Sequence, residues 1–200
     1  SDLSYYNQIT NWVVLYEDQR LWEAAPEYAA KQAAYTIAHE GVHQLLHNTG
    51  VQQRLSRWPM WIGEGLPEFF CPLKVNTRLV RQKDAELPTR TIKWTEPGMV
   101  NDLRMHALLR INSQGGDVAR RLVRENALDT DGYALAWGMV HYLANERPEE
   151  FREYLKDVSR LKPFDGGHPA VARRDDLHFA KHFGEDFAGI ETEEIGRAHV

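Results

Sequence analysis

One helical segment of more than 20 residues constrains the fold most, because it carries two histidines one turn apart. Pro26 fits its first turn, where the missing N–H costs no hydrogen bond. The sequence Asn48-Thr49-Gly50 ends it, since Gly50 readily adopts the left-handed conformation of a C-terminal cap. At helical spacing, small and apolar residues form one stripe that we expect to face the core: Ala30, Ala34, Ile37, Ala38, Gly41 and Leu45.

The two histidines belong to an H-E-x-x-H motif, His39-Glu40-Gly41-Val42-His43. Residues four apart on a helix lie on one face, so the imidazoles of His39 and His43 can reach one metal ion. Glu40 lies about 100° further around the helix, where it can act on a water at the metal without binding the metal. Because three fixed letters also recur by chance, the alternative is a pair of hydrogen-bonded core histidines.

Catalytic zinc usually takes three protein ligands, so a third must come from elsewhere. The extended pattern H-E-x-x-H-x-x-G-x-x-H fails, because Leu46 and Thr49 stand at its glycine and last histidine. The segment 58–70 offers two acids instead. Glu64 lies among glycines and large apolar residues, where a carboxylate is costly unless it is paired or bound to metal. Its alternative role is that of a helix N-terminal acid. Glu68, one turn later, could brace a histidine ring.

H-E-x-x-H followed by W-x-x-E-G-x-x-E resembles the gluzincin metallopeptidases, the zincins whose third zinc ligand is a glutamate. The pattern looks especially like an uncharacterised bacterial branch of peptidase-MA-like domains. The resemblance covers most of the chain and is most specific in the two zinc-binding segments. It runs through residues 11–16, 39–50, 58–70, 133–137 and 179–187.

This resemblance implies zinc as the cofactor, with His39, His43 and Glu64 as its ligands and Glu40 as the general base. It also implies a tyrosine on a later helix that stabilises the oxyanion. Tyr133 matches that element in order and approximate distance. The alternative for Tyr133 is an aromatic side chain that packs near a helix start.

Two features depart from the family pattern. Pro67 stands where the branch usually has a small residue, and it is tolerable only if Glu64 lies in the first helical turn. Gluzincins usually have several strands before the active-site helix, whereas one strand, Ile9 to Tyr16, is evident here. We therefore expect an α+β, zincin-like fold with a small N-terminal β portion, which could be truncated, and a mainly helical C-terminal part.

The remainder of the chain is predicted to be largely helical within a single domain, residues 1–193. Residues 72–100 are predicted to be loop with one short strand, Thr89 to Trp94, because prolines interrupt them. The predicted helices are Asn101 to Ile111, Asp117 to Asn126, Asp131 to Glu146, Glu149 to Leu161 and Asp175 to Phe183.

Composition limits the class of partner. There are 24 Lys and Arg against 29 Asp and Glu, a net charge of −5, which argues against nucleic acid as the main partner. One cysteine, Cys71, excludes an internal disulfide and a multi-cysteine zinc cluster. No apolar run approaches about 20 residues, so we expect no membrane span. The compartment, export included, and the oligomeric state are left open.

Of the nine histidines, three others need comment. His47 continues the spacing after His43 and either lines the cleft or faces solvent. His141 lies on the same predicted helix as Tyr133, and core packing is favoured for it over the cleft. Residues 194–200 match one reading frame of a common sequencing adaptor, so we expect a non-native tail and leave His199 out.

The sequence thus favours a zinc-dependent metallopeptidase that hydrolyses peptide bonds with a metal-activated water and a glutamate base. The alternative is a catalytically inactive zincin-like module that binds a peptide or protein partner with the same helices. Glu40 separates the two, since a binding module needs no acid beside the histidines. A purely structural helical domain is the third reading. The substrate, and exopeptidase or endopeptidase action, are not predicted.

Overall fold

The computed structural model describes residues 4–71, 73–80, 89–94, 98–112, 117–164, 168–187, 189 and 190. Over these residues the chain is mostly helical, with two antiparallel sheets of two strands each. The α+β class predicted from the sequence is therefore confirmed. None of the described helices is both long and apolar enough to cross a membrane. The tail expected at 194–200 lies outside the described residues.

Two short hairpins frame a series of helices. The elements, in chain order, are β1 (Tyr5–Asn7), β2 (Trp12–Val14), α1 (Gln19–Ala24), α2 (Pro26–Asn48), α3 (Met60–Phe70), β3 (Leu73–Val80), β4 (Thr89–Trp94), α4 (Asp102–Asn112), α5 (Val118–Arg124), α6 (Thr130–Glu146), α7 (Pro148–Ser159) and α8 (His168–Phe183).

The strand predicted over Ile9 to Tyr16 is wrong at its start, because residues 8–11 form a hairpin turn. Asn7 holds the turn, since its Oδ1 accepts hydrogen bonds from the backbone N–H groups two and three positions on (2.9 and 3.1 Å). Asn11 has a φ of 62°, a left-handed conformation that asparagine tolerates. Consequently β1 and β2 pair antiparallel, and two strands precede α2 where one was predicted.

Residues 72–100 were predicted to be loop with one strand, and this is wrong for residues 73–80. β3 pairs antiparallel with β4, from Leu73 opposite Trp94 to Val80 opposite Thr89. The strand predicted at Thr89 to Trp94 is confirmed as β4.

Between β2 and α2 the chain forms the short helix α1, which begins at Gln19. Asp18 caps this helix, because its Oδ1 accepts a hydrogen bond from the backbone N–H of Arg20 (2.9 Å).

The predicted C-terminal helices all exist, with bounds shifted by one or two residues for four of them. The exception is the last, predicted from Asp175, which begins at His168 as α8. Pro169 lies in its first turn, where proline is compatible with a helix.

The helix α2 has the predicted start and end, but its buried face is not the predicted stripe. Ile37 and Leu45 are 46% and 59% exposed, whereas the alanines of the stripe are buried. His39 and Leu46 are buried instead, so the inner face of α2 turns toward its histidines over its second half. Gly50 has a φ of 75° and ends the helix as predicted.

The main core lies where α3 packs on α6 and where α5, α7 and α8 surround them. It is built from large side chains that are almost fully buried, among them Trp61, Ile62, Val140, Leu143, Tyr154 and Phe179. A smaller cluster joins α4 to α6 around Leu108 and Trp137. Because α2 packs on α3, the core fixes the two helices that carry the motif residues.

Candidate metal centre

Three predicted ligands meet between α2 and α3. His39 Nε2 lies 3.3 Å from His43 Nε2, and Glu64 Oε2 lies 3.2 Å from the first and 3.5 Å from the second. Ligand atoms about 2.0–2.1 Å from a tetrahedral zinc ion lie about 3.3–3.4 Å from one another. His39, His43 and Glu64 thus form a group that could hold a metal ion, and their separations fit zinc.

The hydrogen bonding of His39 also fits a cation. Its Nδ1 lies 3.3 Å from Glu68 Oε1, and its Nε2 faces the carboxylate of Glu64 on the other side. A neutral imidazole donates from one nitrogen alone, so one of its two carboxylate contacts needs a proton or a metal ion. When no metal ion is bound, a proton on the second ring nitrogen of His39 satisfies this contact. Burial acts to lower the pKa of His39, but hydrogen bonds to Glu64 and Glu68 raise it to about 9.

The carboxylate of Glu64 favours its charged form. Burial acts to raise the pKa of Glu64, but hydrogen bonds with His39 and His43 hold it well below its usual range. The side chain is 17% exposed. An ionised carboxylate beside two imidazoles is the chemistry that a divalent cation such as zinc requires.

Glu68 is held by a network that reaches α4. It is 1% exposed. Arg104 donates two hydrogen bonds to it, from Nε to Oε2 (2.7 Å) and from Nη2 to Oε1 (2.8 Å). The hydroxyl of Tyr35 also donates to Glu68 Oε2, and Asn101 Nδ2 donates to the Tyr35 hydroxyl (3.2 Å). Glu68 therefore lies against Nδ1 of His39, where it can brace the ring, the role considered for it from the sequence.

Glu40 lines the same cleft as the three ligands and is half-buried. Burial raises its pKa, and the charges of His39 and His43 together with the backbone N–H of Tyr6 oppose that change. A carboxylate whose pKa is raised toward neutrality is better suited to accept and return a proton.

Tyr133 lies in the first turns of α6, with its ring centroid 6.2 Å from that of His39. Asp129 fixes the helix start, because its Oδ1 accepts a hydrogen bond from the backbone N–H of Gly132 (2.8 Å). The guanidinium of Arg104 lies 5.5 Å from the centre of the Tyr133 ring, within range of a cation–π contact. Burial, followed by the charge of Glu64, raises the pKa of Tyr133, so its hydroxyl stays protonated.

The three predicted ligands, Glu40 and Tyr133 line one open cavity of about 360 Å³. Its walls come from the β1–β2 hairpin, from α2, from the connection between α2 and α3, from α3 itself and from Tyr133 on α6. The cavity therefore brings together all five residues predicted for the site: His39, Glu40, His43, Glu64 and Tyr133.

Glu64 depends on a close approach between α3 and α6. A Cβ on the neighbouring Gly65 would lie 2.6 Å from the backbone oxygen of Ala136 and 2.7 Å from Val140 Cγ2. Glycine is therefore required at position 65 for this packing.

From the sequence, Pro67 was expected to be tolerable only if Glu64 lay in the first turn of its helix. That expectation is wrong, because α3 begins at Met60 and Glu64 lies in its second turn. Pro67 is nonetheless accommodated inside the helix, buried, with Gly63 at the position its ring faces four residues before.

The other histidines considered take structural positions. His47 lines the cavity, but its ring stacks on Tyr6 (centroids 5.3 Å apart) and its Nδ1 lies 3.0 Å from the backbone oxygen of Gln52. His141 packs against the rings of Phe69 and Trp137, as favoured from the sequence. Among the described residues, neither belongs to the group that could hold a metal ion.

The sequence prediction missed the residues that hold Glu68: Tyr35, Asn101 and Arg104. A signal existed for Tyr35, since it lies four residues before His39 on the same face of α2. Arg104 lies 36 positions after Glu68, and no local pattern connects the two.

Comparison with known proteins identifies the family of the chain. No curated protein and no solved structure matches it. The family described as "Protein of unknown function (DUF1570)" matches residues 33–165, a span that contains His39, Glu40, His43, Glu64 and Tyr133. Since this span is more than half of the 200 residues, the chain belongs to the DUF1570 family.

Proposed function

We propose that the chain is a zinc-dependent metallopeptidase of the gluzincin type, with a zincin-like fold. One observation carries the proposal. Three metal-binding atoms of His39, His43 and Glu64 converge at separations of 3.2, 3.3 and 3.5 Å, with a second carboxylate behind the ring of His39. This arrangement is stable only with a cation between the ligands or an extra proton on them.

His39, His43 and Glu64 would hold the metal ion. Bound zinc supplies Lewis-acid polarisation of a carbonyl group and lowers the pKa of a coordinated water. Glu40, at the wall of the same cavity, would take a proton from the attacking water and pass it to the leaving amine. Tyr133, kept protonated by burial, would donate a hydrogen bond to the carbonyl oxygen as negative charge develops.

The order of these groups along the chain supports the gluzincin type. Two histidines and a base on one helix are followed by a glutamate on the next helix and by a tyrosine on a later one. The carboxylate four residues after the ligand glutamate braces a ligand histidine, as metal sites commonly require.

The test is Glu40→Gln. The variant should bind zinc as tightly as the wild type, since Glu40 is not a ligand, and should lose about 10²–10⁴-fold in peptide hydrolysis. Glu27→Gln, an exposed change on the same helix, is the control. Metal content of the purified proteins and chelator-sensitive cleavage of a peptide pool are the measurements.

Two outcomes would change the proposal. Loss of zinc together with the fold in Glu40→Gln contradicts the role of base. A zinc-loaded wild type that cleaves no peptide favours the catalytically inactive zincin-like module that binds a peptide or protein partner.

A further inference from the structure

Arg57 lines the cavity of the metal centre and is exposed. Its guanidinium makes one long hydrogen bond, from Nη2 to the amide oxygen of Asn126 (3.5 Å). Among the described residues, no carboxylate lies within ion-pair distance of it, and the nearby Asp175 is bound by Arg174 through Oδ1. In the part of the chain that the structure describes, Arg57 therefore lines the cleft without an ion pair, although its charge also acts on the buried Asp175.

The backbone that carries Arg57 is fixed on both sides. Arg54 donates hydrogen bonds to Tyr6, Gln8, Asn11 and Asn48, which tie the connection between α2 and α3 to the hairpin. Leu55 has a φ of 62°, and this left-handed conformation is held by a bond from its N–H to Gln8 Oε1 (2.8 Å). The backbone oxygen of Arg57 itself accepts a hydrogen bond from Arg174 Nη2 (2.7 Å).

Such an arrangement suits a recognition residue. A left-handed leucine is strained and persists only when its surroundings determine it, and strain of this kind clusters at functional sites. Hydrogen bonds already hold the main chain on both sides of Arg57, so ligand binding has to order only the side chain.

The sum of the charges in the cavity also favours a role for Arg57 in binding a ligand. A divalent cation at the ligand group is balanced by Glu64 and Glu40, the two carboxylates that line this cavity. Arg57 then leaves one positive charge for the substrate to match. Guanidinium binds carboxylates with two parallel hydrogen bonds, which gives direction as well as charge complementarity.

We propose that Arg57 is a specificity-determining residue that binds a carboxylate of the peptide substrate within the cleft. This inference rests on the proposed peptidase function for its substrate class. The carboxylate could come from an internal Asp or Glu side chain or from a free C-terminus, and the experiment separates these sources.

The test uses zinc-loaded Glu40→Gln, so that peptides bind without being cleaved. Three fluorescent peptide pools share randomised flanking residues: one neutral and amidated, one amidated with an internal Asp, and one neutral with a free C-terminus. We expect one of the acidic pools to bind about 10-fold more tightly than the neutral pool, with the preference weakened by salt. Adding Arg57→Gln should abolish the ratio, and Arg57→Glu should invert it.

Arg121→Gln, which removes the same charge from an exposed position on α5, is the matched control and should leave the ratio unchanged. Equal affinity for the three pools, or a ratio that survives Arg57→Gln, overturns the proposal. A parallel cleavage assay with Glu40 intact keeps the two ideas apart. Absence of cleavage contradicts the peptidase function, whereas the ratio of dissociation constants alone decides the role of Arg57.

Discussion

At the scale of single residues, His39 links the metal-binding group to the helical scaffold. Its ring has a carboxylate at each nitrogen, Glu64 at Nε2 and Glu68 at Nδ1. The two acids differ in surroundings. Glu64 faces the cavity, whereas Glu68 is 1% exposed and neutralised by Arg104. One acid is therefore free to bind a metal ion, and the other is committed to holding the ring.

This difference predicts the order of zinc affinities. Glu64→Ala removes a proposed ligand and should weaken zinc binding by more than about 100-fold, while Glu68→Gln should weaken it by about 10–100-fold. Competition against a chelator measures both. Glutamine is preferable at position 68 because its amide oxygen can still accept a hydrogen bond from Arg104, whereas alanine offers no acceptor. The reverse order of affinities would assign the third ligand to Glu68.

The sequence predicts the two histidines of the candidate group because their spacing is local, whereas the resemblance to gluzincins selected Glu64 from the two acids of the next segment. His39 and His43 are one turn apart, and Glu64 follows within the next helix. Arg104 and Arg57 were not predicted, because their importance depends on long-range contacts: one pairs with a buried acid on another helix, and the other lacks such a partner. Pairing across helices is decided by packing, which a local pattern does not encode.

At the scale of elements, α3 is the helix that joins the core to the cleft. Trp61, Ile62 and Leu66 are buried in the core, while Glu64 points into the cavity. At Gly65 the backbone of α3 lies against the backbone oxygen of Ala136 as well as the side chain of Val140, so a side-chain rotation alone cannot relieve the contact.

Gly65→Ala should therefore destabilise the fold by about 1–3 kcal/mol and also weaken zinc binding, because α3 must move away from α6. Gly63→Ala is the matched control. Its Cβ would meet Trp58 Cβ at an ordinary 4.0 Å, and alanine is the better helix former. Denaturant unfolding and zinc titration measure the two effects. Equal stability of both variants would show that the helices can separate without cost.

Element prediction failed where turn chemistry outweighed strand propensity. Residues 9–16 are rich in β-branched and aromatic side chains, yet Asn7 and Asn11 impose a turn at residues 8–11. The buried face of α2 was also misjudged, because helical spacing alone does not tell which neighbours cover Ile37 and Leu45.

At the scale of the whole molecule, the helix α8 contains a buried acid. Asp175 on α8 is 4% exposed and receives hydrogen bonds from its neighbour Arg174 (Nε to Oδ1, 2.9 Å). Burial raises its pKa to about 6, although the charges of Arg174 and Arg57 act in the opposite direction. The unfolded chain, with an aspartate pKa of about 3.9, binds fewer protons at Asp175 between these values.

The contribution of Asp175 to stability should therefore fall as the pH rises. The contribution of Asp175 is favourable below pH 4 and is lost as the pH passes about 6. Asp175→Asn should gain up to about 3 kcal/mol relative to the wild type at pH 8 compared with pH 4. Denaturant unfolding at both pH values tests this, with Asp176→Asn, which breaks a partly exposed ion pair with Arg124, as the control. An unchanged difference between wild type and Asp175→Asn at the two pH values would contradict it.

The contact at Gly65 also determines how accurately the cleft is built. Ala136, which it touches, lies three residues after Tyr133 on α6, and Gly65 directly follows Glu64 on α3. Glu64 is thus one residue away from this contact along α3. Tyr133 is about 4.5 Å of helix rise away from it along α6. Positional error grows with the length of chain between a fixed point and the group it places. Movements of the outer helices therefore change the distance between the side chains of Glu64 and Tyr133 little. The contact between α3 and α6 at Gly65 is what holds that distance.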